Sequence, residues 1–241
     1  MIKTILMFFY IGIVMILLIP IGIIPMILYI FGLRNSMSKI IYRLAQLWAF
    51  SITVLCGAKV TVTGKENIPK KGGVCFVSNH CGYFDIVLML AYSGRQFGFV
   101  AKKELLLIPF LNFWIYILGG LFIDRKNVRK AIRTINKGIE YIKTGSGMII
   151  FPEGTRSKGR GLLPFLPGAL KLATAAQAPI VPVAIEGSYD IFEKTGRLAK
   201  ANVTITFLEP VETANLAPEE KKVVLSDRIY SMIKEQLEKD K

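Results

Sequence analysis

The sequence predicts an α/β fold, a mixed, largely parallel sheet flanked by helices and preceded by an apolar helical segment. Beyond residue 56, short β-rich runs alternate with helical patterns, the order expected when helices cover a sheet. Several of those runs are apolar throughout, as strands buried on both faces are. From Ile5 to Phe31 the chain is nearly unbroken Ile, Leu, Met, Val and Phe, enough apolar helix for an N-terminal membrane anchor. The 241 residues give room for one domain and an appendage. We read these as a two-helix anchor over 1–56 and an α/β domain over 57–241.

In the anchor, Pro20 and Pro25 each remove a backbone donor and predict a kink or break. The uninterrupted part, Ile5 to Ile19, is about 22 Å long as helix at about 1.5 Å per residue, short of a hydrocarbon core of roughly 30 Å. A turn is expected at Gly32-Leu33-Arg34-Asn35-Ser36. Ile40, Ile41, Leu44, Leu47, Trp48 and Leu55 then recur at the spacing of an amphipathic helix, with Arg43 and Gln46 on its other side. Two topologies fit: a monotopic anchor that enters one leaflet and returns, and a single span. A cleaved signal peptide fits less well, because the run is too long and no small-residue cleavage site follows. Arg34, Lys39 and Arg43 after the run leave the main domain at the cytoplasmic face of the cell membrane in either case.

Strands are predicted at Lys59 to Thr63, Val74 to Ser78, Phe97 to Ala101, Leu121 to Ile123, Met148 to Phe151, Ile180 to Ile185 and Val203 to Phe207. Pro182 inside the sixth implies an edge or a bulge. Helices are predicted at Ile86 to Tyr92, Asn127 to Lys143 and Gly168 to Ala176. A last amphipathic helix is predicted from Pro218 to about Lys239, with Glu219 and Glu220 complementing its dipole and Val224, Ile229, Met232, Ile233 and Leu237 on the core.

Lys and Arg outnumber Asp and Glu by 31 to 17, a formal charge of +14 that favours anionic partners. No zinc finger or aromatic RNA-binding strand is readable, so nucleic acid is not among the expected partners. Cys56, Cys75 and Cys81 form no C-x-x-C pair, and a single histidine excludes a His-rich centre, so no metal is expected.

That histidine lies just past the second strand, in Asn79-His80-Cys81-Gly82-Tyr83-Phe84-Asp85. On a regular helix its offset from Asp85 puts the two on different faces, so the chain must turn, and Gly82 allows it. In such a turn a carboxylate accepts from the imidazole Nδ1 and leaves Nε2 free to take a proton. Spacing alone fits equally a structural histidine with Asp85 as a helix N-cap. Ser78 and Cys81 beside His80 raise the alternative of a covalent intermediate on either side chain.

The His80/Asp85 pair matches the H-x4-D signature, and here the sequence resembles the glycerolipid acyltransferases, specifically their 1-acylglycerol-3-phosphate branch. The resemblance continues through Lys102-Lys103-Glu104-Leu105 with Ile108-Pro109, then Gly120 to Arg125, then Phe151-Pro152-Glu153-Gly154-Thr155-Arg156-Ser157, and last Val181-Pro182-Val183. These blocks follow the family's order over about 105 residues, Asn79 to Val183. In the third, Gly154 permits a tight loop, Thr155 and backbone amides can donate to phosphate oxygens, and Arg156 can bind them bidentately. A solvated turn fits the same residues. The resemblance implies phosphate binding by Arg125, otherwise a partner for Asp124, and substrate contact by Lys103, otherwise a surface lysine. Glu153, Gly82 and Asn79 are expected in support.

What the resemblance implies is direct acyl transfer. His80 removes the proton of the sn-2 hydroxyl of lysophosphatidic acid, the oxygen attacks a thioester, and Asp85 stabilises the imidazolium. Oxyanion donors are sought among amides near Gly82 or at the start of the next helix. No cofactor is implied, the donor being a thioester of acyl-carrier protein or coenzyme A, and the bilayer is the other partner. Glycerol 3-phosphate or another lysophospholipid is the alternative acceptor. A thioesterase and a non-enzymatic protein binding anionic lipid are the competing classes.

Overall fold

The computed structural model describes residues 1–30, 34–217 and 224–240. Three helices come first: α1 (Ile2–Leu17), α2 (Ile19–Ile30) and α3 (Arg34–Cys56). The chain breaks at Leu18, just before Pro20, whereas Pro25 lies within α2. Of the expected turn, Gly32 and Leu33 lie outside the described residues. Arg34 to Ser36 are already helical, which corrects that part. Ile2–Ile24 and Lys39–Cys56 are each long and apolar enough to cross a membrane.

Seven strands form one sheet in the order β1-β7-β6-β2-β5-β3-β4: β1 (Lys59–Thr63), β2 (Val74–Ser78), β3 (Phe97–Lys102), β4 (Leu121–Ile123), β5 (Gly147–Ile150), β6 (Ile180–Glu186) and β7 (Asn202–Phe207). Every pair is parallel except β6 with β7. The central strands β2 and β5 are buried along their whole length, and the edge strand β1 alternates exposed and half-buried residues, as layering on a sheet demands. Pro182 is in an inner strand, which corrects the edge expectation. The β6–β7 ladder begins at Val183↔Phe207, the next bridge is Ile180↔Val211, and the missing donor falls in the interruption between them.

Because side chains alternate along a strand, the sheet serves two cores. Phe76, Phe97 and Phe207 pack with α3 and with α4 (Phe84–Tyr92), where Ile52, Leu88 and Met89 are fully buried. Cys75, Val77 and Met148 face the other way, onto α6 (Val128–Lys143), α7 (Lys171–Ala176) and α8 (Leu225–Lys239). In α7 the first expected turn is absent, since Gly168 is left-handed and Leu170 caps the helix. Pro218, Glu219 and Glu220 lie outside the described residues. Val224 is exposed rather than packed, and Leu225 takes the inward position with Ile229, Ile233 and Leu237. The short α5 (Leu111–Ile117) was not expected; it rests on the N-terminal helices, with Trp114 Nε1 donating to the Met15 carbonyl at 2.9 Å.

Candidate active site

The site lies where β2, β3, β4 and β5 end, the edge at which α/β sheets collect ligands. β2 stops at Ser78, but its ladder is continued by a side chain. The Asn79 amide donates to the Ile185 carbonyl and accepts from the Ile185 N–H, both at 2.8 Å. This pins the chain to β6 as it turns toward α4.

The turn places His80 Nδ1 2.6 Å from Asp85 Oδ2. Asp85 is not an N-cap but the second residue of α4, with a fully buried side chain. Its Oδ2 also accepts from the Cys81 N–H at 2.8 Å and the Gly82 N–H at 3.0 Å, and its Oδ1 accepts from the Ser188 hydroxyl. The imidazole lies on the Phe151 ring, centroids 4.0 Å apart and planes 20° apart. Among the described residues its sole hydrogen bond is through Nδ1, and its side chain keeps 21% exposure. Nε2 is therefore available to a proton donor from outside.

Glu153 fastens this turn to the loop after β5. One carboxylate oxygen accepts from the His80 N–H at 2.6 Å, the other from the Leu163 N–H at 3.0 Å. Burial raises the pKa of this carboxyl group above the ordinary glutamate value, and the two amide donors only partly oppose the shift. The His80 carbonyl in turn accepts from the Ser157 N–H at 2.7 Å.

Gly154 is left-handed (φ 68°), the conformation in which glycine is least strained, and its carbonyl accepts from Arg125 Nη1. Arg125 and Thr155 are both exposed. Asp124 does not pair with Arg125; Lys103 Nζ takes it at 2.9 Å, and that hydrogen bond holds the Asp124 pKa low. Arg156 pairs with Glu193 and stacks 3.6 Å over the Tyr83 ring, while the second Glu193 oxygen accepts from the Tyr83 N–H at 2.6 Å. A Cβ on Gly82 would stand 2.3 Å from that oxygen, so a larger residue there would push the Glu193 carboxylate from its place.

His80, Asp85, Asn79, Gly82 and Glu153 thus form one network, with Arg125 and Gly154 beside it and Arg156 tied to it through Glu193. Lys103 is joined to Asp124 instead. Two expectations change. The amides of Cys81, Gly82 and Tyr83 already serve Asp85 and Glu193, so the oxyanion donors are not these. Ser78 is fully buried with its hydroxyl donating to the Asn79 carbonyl at 3.0 Å. The Cys81 thiol is pushed up to about 12 by burial and then by the Asp85 charge, which leaves it protonated and a poor nucleophile at neutral pH. Sequence reasoning missed Ser188, Phe151 and Glu193. The only signal for Ser188 was its place two residues after β6, following the left-handed Gly187.

A family model described as "Acyltransferase" matches residues 59–186. The 1-acyl-sn-glycerol-3-phosphate acyltransferase of Borreliella burgdorferi is 36% identical over 140 residues, 58% of this chain and 56% of that protein. The human 1-acyl-sn-glycerol-3-phosphate acyltransferase alpha is 33% identical over 194 residues, 79% of this chain and 68% of that one. The chain spans from about half to two thirds of the length of the curated relatives it matches. The crystal structure of the 1-acyl-sn-glycerophosphate (LPA) acyltransferase from Thermotoga maritima superposes with a TM-score of 0.73 at 28% identity, covering 86% of this chain and 82% of that one.

Proposed function

The chain belongs to the acyltransferase family, and on that premise we propose that it moves a fatty acyl group from a thioester to the sn-2 hydroxyl of 1-acyl-sn-glycerol 3-phosphate, giving phosphatidic acid. The observation that carries the reading is the partly exposed imidazole held through Nδ1 by the buried Asp85. The names of the relatives supply the acceptor.

In this reading Nε2 takes the proton of the sn-2 hydroxyl as its oxygen attacks the thioester carbonyl, and Asp85 stabilises the imidazolium. Collapse of the tetrahedral intermediate expels the thiolate, which takes that proton from His80. Arg125 and Thr155, exposed beside Gly154, receive the acceptor's phosphate, joined by Arg156 when it exchanges Glu193 for phosphate. Lys103 steadies Asp124 next to Arg125. The transfer calls for no cofactor beyond its donor, a thioester of acyl-carrier protein or coenzyme A.

Residues 1–56 act as the membrane anchor and 57–241 carry the chemistry at the cytoplasmic face. One feature supports the anchor: the outward faces of α1 and α3 display Phe8, Phe9, Leu17, Leu47, Phe50 and Val54, an apolar surface of the kind that marks a membrane or protein contact. Those helices fit a monotopic insertion and a span alike, which cysteine labelling from each side of the membrane separates.

The test is an acceptor panel with the full-length protein. Transfer to lysophosphatidate is expected to exceed transfer to glycerol 3-phosphate, and His80→Ala to lower turnover by about 10²–10⁴-fold. Equal turnover in His80→Ala, or thioester hydrolysis without transfer, would sink the assignment.

A further inference from the structure

Helix α6 is charged against its own dipole. Lys126 stands just before it, Arg129 and Lys130 lie in its first turn, Arg133 follows, and its first turn holds no acidic residue. Cations at a helix N-terminus oppose the partial positive charge there, so stability does not explain them. All four are exposed, and among the described residues none is in an ion pair.

The apolar stripe of α6 has the same character. Ile139 and Ile142 are buried against the sheet, but Ile132 and Val128, on that stripe about two and three turns before Ile139, are 51% and 70% exposed. An apolar pair framed by four cations is a patch that an acidic, partly apolar protein surface complements.

Location identifies the occupant. α6 covers the sheet face of Cys75 and Val77, and α3 covers the face of Phe76. The basic patch is therefore across the sheet from the N-terminal helices, away from a bilayer that holds them. Its near end, Lys126, directly follows Arg125, which touches the Gly154 loop. We propose that the first two turns of α6 dock an acidic carrier protein bearing the acyl thioester on a flexible arm, so that the soluble donor reaches His80 from one side and the lipid acceptor from the other. This rests on the acyltransferase reading above.

The experiment compares two donors with one acyl chain, an acyl-carrier protein thioester and the coenzyme A thioester, on the full-length protein. Two variants are used, Lys126→Glu/Arg129→Glu/Lys130→Glu/Arg133→Glu and Val128→Ser/Ile132→Ser. In both, KM for the carrier thioester is expected to rise about tenfold or more, while KM for the coenzyme A thioester stays within about threefold. Added salt should weaken the wild-type response to the carrier and leave the charge-reversed variant unmoved. The unfolding midpoint of that variant should not fall, since acids suit a helix N-terminus. Equal effects on both donors, or no effect on either, overturn the proposal. So does a loss of binding to anionic vesicles with carrier kinetics intact, which would give the patch to the membrane. If the wild type transfers from coenzyme A alone, only the docking site fails; if it transfers from neither donor, the underlying function fails.

Discussion

Asp85 takes hydrogen bonds from His80, from the amides of Cys81 and Gly82 and from the Ser188 hydroxyl, so its orientation is over-determined before substrate arrives. Removing the Ser188 hydroxyl leaves a buried oxygen bare. Ser188→Ala is expected to lose about 1–3 kcal/mol of stability and to lower kcat with KM for both substrates unchanged, and Ser188→Thr should restore part of it; a KM effect alone would argue against this role. Cys81→Ala should keep most of the turnover, and the half-buried thiol, protonated at neutral pH, should alkylate more slowly than in the unfolded chain. Glu153 has a sign that pH titration can read. Its folded pKa is raised, so the native protein holds a proton that the unfolded chain releases. Stability should decline as pH rises from the ordinary glutamate value to the raised one and then level off. Denaturant melts of Glu153→Gln across that interval should lack the slope. His80 and Asp85 were legible as a pair because five positions of chain separate them. Ser188 was not, because it meets Asp85 from 103 positions away and no spacing rule reaches that far.

Among the elements, the inner strands were legible for a physical reason: strands buried on both faces are apolar runs between polar turns, and the edge strand β1 shows the alternation of a half-exposed one. α5 was not, since seven residues of mixed aromatic and aliphatic character follow a proline and have no period to detect. Its helix exists because Trp114 finds cover under the N-terminal helices and Ile115 is buried beside it, a tertiary cause. Asn79 marks where an element's end is set by a side chain. Asn79→Ala would strand the N–H of Ile185 in the core, at about 1–3 kcal/mol, would leave its carbonyl only the weak Cys81 thiol as donor, and would loosen the turn that carries His80. Thermal melts and turnover should therefore fall together; a loss of stability with full activity would show that the turn holds without the ladder.

At the scale of the molecule, α3, part of the proposed anchor, is also a wall of the core, since Ala49 and Ile52 are as buried as Leu88 and Met89. Expression of residues 57–241 alone should give an aggregating protein, because the Phe76 and Phe97 face of the sheet would lose its cover. A soluble monomer with a cooperative melt would contradict that shared core. High salt should not strip the full-length chain from membranes, whereas detergent should, apolar contact being insensitive to screening. One feature also gives the molecule an optical asymmetry. The chain has two tryptophans, Trp48 in α3 and Trp114 in α5 beneath α1, and both stand on the side of the sheet away from α6. Intrinsic fluorescence should thus shift when that side meets a bilayer, and binding at the basic helix should leave it unchanged.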